Sequence, residues 1–238
     1  MALKIQAKSK DTAEIWLYGE IGESLWGDSI SAKQFADELK GAGSVSSIIL
    51  RINSPGGSVF DGLAIYNALK SHPARVVSEI DGAALSIASI IALAGDVVRM
   101  SGNAFFMIHN PWTMAAGEAG DFRSMADRLD LVRGSLLGTY ATRTRSLATT
   151  EQISGWMDAE TWFTAEEALE HGFVDEITNE LDVAAKYDFS RYGFKNAPKQ
   201  ATARIAMPRD TALRSRLARA GMVVQRNRLN AHNTAAQA

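Results

Sequence analysis

Residues 75–94 read Arg-Val-Val-Ser-Glu-Ile-Asp-Gly-Ala-Ala-Leu-Ser-Ile-Ala-Ser-Ile-Ile-Ala-Leu-Ala, and the fold class is decided here. Arg75–Ile80 is dense in β-branched residues and predicts a strand. Gly82 to Ala94 is apolar on nearly every face, which predicts a buried helix. The same strand-then-helix order precedes it. Ser47–Asn53 (SIILRIN) predicts a strand, residues 54–57 (SPGG) a turn, and Phe60–Leu69 a helix that stops at Ser71-His72-Pro73. Further upstream, Glu14–Tyr18 alternates as a strand broken by Gly19 and Gly22. Ser31–Lys40 then predicts a helix with Ser29 or Ser31 as its cap. Downstream, Asp96–Met100 and Ala104–Ile108 predict two strands around a Ser101-Gly102 turn. Alternating strands and helices predict an α/β fold with parallel strands and right-handed crossovers.

Beyond these units, Asp121 to about Leu147 predicts one long helix. Met125, Leu129, Val132, Leu136, Tyr140 and Leu147 mark one of its faces. At 1.5 Å per residue it runs roughly 40 Å, long for one domain, so part of that face is expected to dock on another subunit. A shorter helix starts at Thr149-Thr150-Glu151. Another starts at Thr164 with a capping-box-like pattern and ends at Gly172, and Phe173–Ile177 predicts a last strand. After about Lys186 the periodicity fades. Residues 195–212, with Pro198 and Pro208, read as a linker, Thr211–Leu229 as a basic helix, and the last eight residues as a loose tail.

Composition removes several classes. With 46% hydrophobic and 22% charged residues, a packed soluble core is expected. The chain has no cysteine, which excludes disulfides, thiolate nucleophiles and cysteine-held metals. Its four histidines are scattered without HExxH spacing, so no metal is expected; no cofactor is expected either. There is no GxxxxGK[ST] phosphate loop and no recognisable nucleic-acid module. No apolar run approaches the roughly 18 residues of a membrane span, and MALKIQAKSKD lacks a secretory apolar core. A cytoplasmic location is therefore expected. Charge is uneven: residues 188–238 hold ten Lys/Arg and two Asp, leaving fifteen basic and twenty-five acidic residues to 1–187. Such asymmetry marks either an interaction arm or a solvated tail. The expected organisation is one domain over 1–187 and a basic extension over 188–238.

Four segments carry residues suited to chemistry. Ser86 follows small residues 82–84 at the predicted start of an apolar helix, where positive backbone groups favour a developing negative charge. Taken alone, such a serine more often bonds its own helix backbone, and Ser89 lies one turn deeper. His109 ends an apolar strand before Asn110-Pro111, at the sheet edge where α/β proteins place functional side chains. A neutral imidazole there can take a serine proton. His72 is beside a turn proline, His171 at a helix end and His232 in the tail, so they are weaker candidates. The other imidazole nitrogen needs an acceptor, for which Glu160 and Asp158 stand just before Trp162-Phe163. The SPGG turn supplies backbone N–H groups without bulky side chains. With the N–H of Ile87, it is suited to an oxyanion hole.

Together, INSPGGSV (52–59), DGAALSIAS (81–89), MIHNP (107–111) and TAEEALEHGFVDEI (164–177) resemble, in order and spacing, the Clp protease proteolytic subunit family (ClpP). The resemblance covers about residues 14–180. It implies a crotonase-like spiral of ββα units with a long protruding handle helix, which interlocks rings of subunits. It implies Ser86 as nucleophile and His109 as base, with the N–H groups of Gly57 (or Gly56) and Ile87 as oxyanion hole. Gly117, Glu118, Ala119 and Gly120 match the strand that pairs with extended peptide substrate. It further implies a homo-oligomeric ring, a heptamer or double heptamer, acting on protein or peptide substrates.

The chain departs from that pattern in three places. Glu160 stands where typical members have Asp, leaving Asp158 as fallback acid. The segment before the first predicted strand is only about a dozen residues, which argues against an ATP-driven unfoldase partner. The basic extension lies outside the family core. These departures resemble bacteriophage head maturation (prohead) proteases, implying capsid or scaffold partners and a place in the host cytoplasm or the assembling prohead. The alternatives are a general ATP-dependent proteolytic subunit, an inactive structural or scaffold ring, an acyl-CoA enzyme of crotonase type and a serine–lysine peptidase. The last finds no lysine between 71 and 185.

Overall fold

The computed structural model describes residues 3–9, 11–23, 29–179 and 192–198. Among them the chain runs through β1 (Leu3–Ala7), β2 (Thr12–Leu17), β3 (Glu20–Ile21), β4 (Ser29–Ile30), α1 (Ala32–Gly41), β5 (Ser47–Ser54), α2 (Val59–Lys70) and β6 (Arg75–Leu85). It continues through α3 (Ile87–Ala92), β7 (Val97–Ser101), β8 (Phe105–Ile108), α4 (Ala119–Thr144), α5 (Thr150–Asp158), β9 (Thr161–Phe163), α6 (Ala165–Glu170) and β10 (Glu176–Thr178). Serine and threonine caps start the helices where the sequence places them: Ser31 Oγ accepts from Gln34, and Thr149 and Thr164 form reciprocal capping boxes with Gln152 and Glu167.

The main sheet has the order β1-β2-β5-β6-β7-β10, and along that path it is parallel except for the β1–β2 pair. β6 serves two sets of partners. Val77–Ile80 pairs with β7, whereas Ala83–Leu85 pairs with β8, which in turn carries β9 antiparallel. The sheet thus branches at Asp81-Gly82, and the branch delivers Ser86. Ile15, Leu17, Ile48, Leu50 and Ile52 have no exposed surface. Each such side chain contributes roughly 1.5–3 kcal/mol over an exposed one.

Several expectations are corrected. The helix expected over Gly82–Ala94 is only Ile87–Ala92; strand β6 runs on to Leu85. Ala83–Leu85 is apolar on both faces, and periodicity cannot separate a doubly buried strand from a buried helix. Leu3–Ala7, read as a segment before the first strand, is itself an edge strand paired antiparallel with β2. The last strand is Glu176–Thr178, because Phe173 and Val174 turn into the core, with the Phe173 ring 5.1 Å from that of Phe106. The substrate strand expected at Gly117, Glu118, Ala119 and Gly120 is not a strand here. Glu118 caps α4 in a reciprocal box with Asp121, and Ala119 and Gly120 are already helical. The long helix itself spans 26 residues and is capped by left-handed Arg145. It buries Leu136 and Tyr140 but leaves Leu131 77% exposed.

Beneath the branch, Arg51 on β5 reaches Asp81 on β6 with two hydrogen bonds (2.9 and 2.6 Å) and Glu79 with a third (2.9 Å). Tyr18 O–H also donates to Asp81. Burial pushes the Asp81 carboxyl above the usual carboxylate range, against the opposing pull of Tyr18 and Arg51. This network ties the start of the 81–86 run to two neighbouring strands.

Of the basic extension over 188–238, the predicted helix over Thr211–Leu229 and the last eight residues lie outside the described residues. Residues 192–198, by contrast, sit on the body: Tyr192 and Phe194 pack against Ala83, Leu85 and Met107.

Candidate active site

Ser86 joins β6 to α3 with φ 54° and ψ −128°. This positive-φ region is one that an L-residue with a side chain rarely adopts, and it costs on the order of 1–3 kcal/mol. The strain is imposed from three sides. β6 is paired up to Leu85, the Ser86 N–H donates to the Met107 carbonyl on β8 (3.0 Å), and its carbonyl accepts from Ser89 Oγ (2.5 Å). Ser89 Oγ also shares a 2.7 Å hydrogen bond with Tyr140 Oη of α4. Ser89 is therefore buried and engaged, and Ser86 alone of the pair presents its hydroxyl.

His109 lies one residue past β8. Its Nε2 stands 2.8 Å from Ser86 Oγ. β8 and β6 are adjacent strands, which is why residues 23 apart in sequence meet. Burial holds His109 below the ordinary histidine value; the Glu160 charge opposes this and the Lys195 charge reinforces it. The ring is thus neutral at pH 7. With its proton on Nδ1, it accepts the Ser86 proton at Nε2. A hydroxyl so placed can be deprotonated as it attacks a carbonyl carbon.

The two acids part company. Asp158 ends α5 at the surface, where Oδ1 accepts from Asn110 Nδ2 (2.8 Å) and Arg133 Nη2 (3.0 Å). Those bonds hold its carboxyl below the usual range. Glu160 is 8% exposed and has φ 50°. Its charge acts on His109 through space, but no hydrogen bond joins the two. Its Oε1 accepts instead from the Asn196 backbone N–H (2.8 Å) and, at 3.4 Å, from Trp162 Nε1.

The glycine turn faces Ser86. Ile21 N–H donates to the Gly56 carbonyl and Ser58 N–H to the Ile21 carbonyl, both at 2.8 Å, so β3 pins the turn. A Cβ on Gly57 would sit 2.1 Å from the Ile21 oxygen, and one on Gly56 would sit 2.8 Å from Ser86 Cβ. Glycine is therefore obligatory at both. The Gly56 N–H is taken by Ser54 Oγ (3.2 Å), whereas the Gly57 N–H meets no acceptor among the described residues. Ile87, as first residue of α3, has no acceptor in its own helix.

The other histidines stay apart: His72 Nδ1 caps the Ala74 N–H, and His171 packs on Trp156. His232 lies outside the described residues. Sequence reasoning missed Phe194, just ahead of the stretch 195–212 read as linker, and Lys195 and Asn196 within it, which reach His109 or Glu160. No periodicity marked them. Among the described residues no group of three or more acids or histidines is placed to hold a metal ion. No helix there is long and apolar enough to cross a membrane.

Comparisons with known proteins bear on the family and the fold. The family model for Clp protease matches residues 2–180. The ATP-dependent Clp protease proteolytic subunit 2 of Thermobifida fusca is 39% identical over 139 residues, covering 57% of this chain and 68% of its own. The protein of the same name from Tropheryma whipplei is 35% identical over 171 residues, covering 70% and 91%. Among solved structures, a point mutant of ClpP1 from Listeria monocytogenes superposes with a TM-score of 0.58 at 29% identity, covering 69% of this chain and 90% of its own. The spiral expected from the resemblance is accordingly a ClpP-like fold. A chain matched over residues 2–180, and folded as ClpP is, belongs to the Clp protease family of serine-type endopeptidases.

Proposed function

We propose that this chain cleaves peptide bonds with Ser86 as nucleophile, His109 as general base and Glu160 as the acid that stabilises the imidazolium. The N–H groups of Gly57 and Ile87 receive the oxyanion. The observation that carries the reading is the 2.8 Å approach of His109 Nε2 to a strained Ser86. Gly57 is favoured over Gly56 because the Gly56 N–H is already engaged. Substrate backbone pairs along the exposed stretch ahead of α4. That stretch takes in Gly117 and Glu118 of the four residues expected there, but not Ala119 and Gly120, which are helical. Exposed Trp112 and Met114, with Leu131 on α4, support burial against further copies in a homo-oligomeric ring.

The test is a fluorophosphonate probe on the purified protein. Label is expected on Ser86, with an acid limb whose midpoint lies below pH 6.5. Neutral His109 is the active form, and burial favours that form. Label elsewhere, or none in an assembled oligomer, removes the serine mechanism. Beside it, Glu160→Gln is expected to slow labelling at least about tenfold, since an uncharged amide cannot stabilise the imidazolium. Asp158→Ala is expected to leave it within about twofold, since an exposed ion pair contributes little. The reverse order would move the acid to Asp158.

For the biological setting, prohead maturation is supported by Glu160 in the acid position and by the basic 188–238 extension, suited to acidic scaffold. On this reading the two domains are 1–187 and 188–238. The second setting, a proteolytic subunit fed by an ATP-driven unfoldase, is supported by the names of the relatives. Degradation of a folded substrate only when an unfoldase and ATP are added favours the second; ATP-independent processing of scaffold favours the first.

A further inference from the structure

Residues Tyr192–Pro198 touch the site at three points. The Phe194 ring stands edge-on 6.0 Å from the His109 ring and 5.4 Å from Trp162. The Asn196 backbone N–H donates to Glu160 Oε1, and its side-chain amide donates to the Ala159 carbonyl (2.7 Å). Lys195 places a cation within reach of the imidazole. Each contact has the same sign for the chemistry. Serine attack generates an imidazolium. Phe194 strips water from it, Lys195 repels it, and the Asn196 N–H holds the Glu160 carboxylate through Oε1 in a position that makes no hydrogen bond to His109. Nδ1 has no hydrogen-bond acceptor among the described residues.

We propose that Tyr192–Pro198 is a restraining strap, bound here in the position that keeps Glu160 from His109; its displacement lets the Glu160 carboxylate accept the His109 Nδ1 proton and brings the site to full rate. The strap sits on an apolar sheet face built from Ala83, Leu85 and Met107, flanked by Phe105 and Trp162. Alternate side chains of β6 and β8 make that face, the opposite ones (Ala84, Phe106) belonging to the main core. The seat is therefore part of the rigid sheet, and the strap is the movable partner. The charged groups acting on His109 are Glu160 and Lys195. Asp158 and Arg133 are engaged with each other and with Asn110. This proposal rests on the Ser86–His109–Glu160 reading above.

The test measures the rate of fluorophosphonate labelling of Ser86 against pH in the full chain. Asn196→Pro deletes the N–H that holds Glu160. It is expected to raise the plateau rate on the order of tenfold, the scale of one charge-assisted hydrogen bond, and to move the acid-limb midpoint upward. Lys195→Ala, at an exposed side chain, is expected to raise the midpoint with a smaller plateau gain, and Lys195→Arg to restore the original profile. A lowered plateau in both, or an unchanged profile, overturns the strap. Should Asn196→Pro fail to fold, the alanine and arginine variants at Lys195 still decide. Ser86 labelled in the parent chain with profiles unmoved in the variants sinks the strap alone; Ser86 unlabelled in every folded variant sinks the serine mechanism and the strap with it.

Discussion

Ser86→Ala is expected to abolish fluorophosphonate labelling and to lower peptide hydrolysis by about 10⁴-fold or more, the scale seen when a serine nucleophile is removed. The fold should survive. Alanine keeps the Cβ, so it inherits the same backbone strain, and the lost hydrogen bond to His109 is worth about 1 kcal/mol. A thermal midpoint within a few degrees of the parent, together with lost activity, is the expected pair of results. Ser86→Gly should be equally inactive yet more stable, by on the order of 1 kcal/mol, because glycine accepts φ 54° without penalty. Residual hydrolysis above a hundredth of the parent rate in either variant would mean that another group attacks the substrate.

Gly57→Ala is expected to be the most damaging change that removes no functional side chain. The new Cβ would lie 2.1 Å from the Ile21 carbonyl oxygen, and φ 141° is itself unfavourable for alanine. The turn must shift away from β3, carrying the Gly57 N–H with it. Loss of one oxyanion donor lowers kcat by about 10²–10³-fold, with KM moved less. Gly43→Ala is the control: it also has positive φ, at 70°, but meets open space, so it should cost about 1 kcal/mol of stability and leave kcat alone. Equal kinetic effects of the two substitutions would count against Gly57 as a donor.

The sequence disclosed the parallel core and the caps because each depends on local pattern, whereas the pairing of Ser86 with His109 was implied by the family resemblance of the four motifs and not by pattern alone. Ser31, Thr149 and Thr164 cap their helices as the spacing requires. The extension of β6 to Leu85 stayed hidden because both its faces are buried, one under Tyr192 and Phe194 and the other in the main core. The extended strand at Gly117–Gly120 was implied by the family resemblance alone, with no support from local pattern. Tertiary context and the Glu118–Asp121 box outweigh roughly 1 kcal/mol of glycine propensity per residue. The choice between Glu160 and Asp158 could not be made from sequence, since both precede the same aromatic pair. What separates them is burial and partner: Asp158 faces Arg133 at the surface, while Glu160 turns inward. The role of Asn196 was illegible for another reason. It acts through its backbone N–H, which every non-proline residue carries.

The positive φ of Ser86 has a consequence for the life of the polypeptide. Nothing in the residues around it favours that conformation locally; it exists because two strands and a buried serine–tyrosine contact from α4 enforce it together. Those elements span residues 75 to 140, so a chain still emerging from the ribosome, or one damaged enough to loosen α4, carries at position 86 an ordinary, unreactive alcohol. A hydrolase of peptide bonds is dangerous to its neighbours, and to its own siblings, chiefly while it is incomplete. On the Ser86–His109 reading, reactivity at position 86 belongs to the finished architecture, and a half-made molecule is expected to lack it.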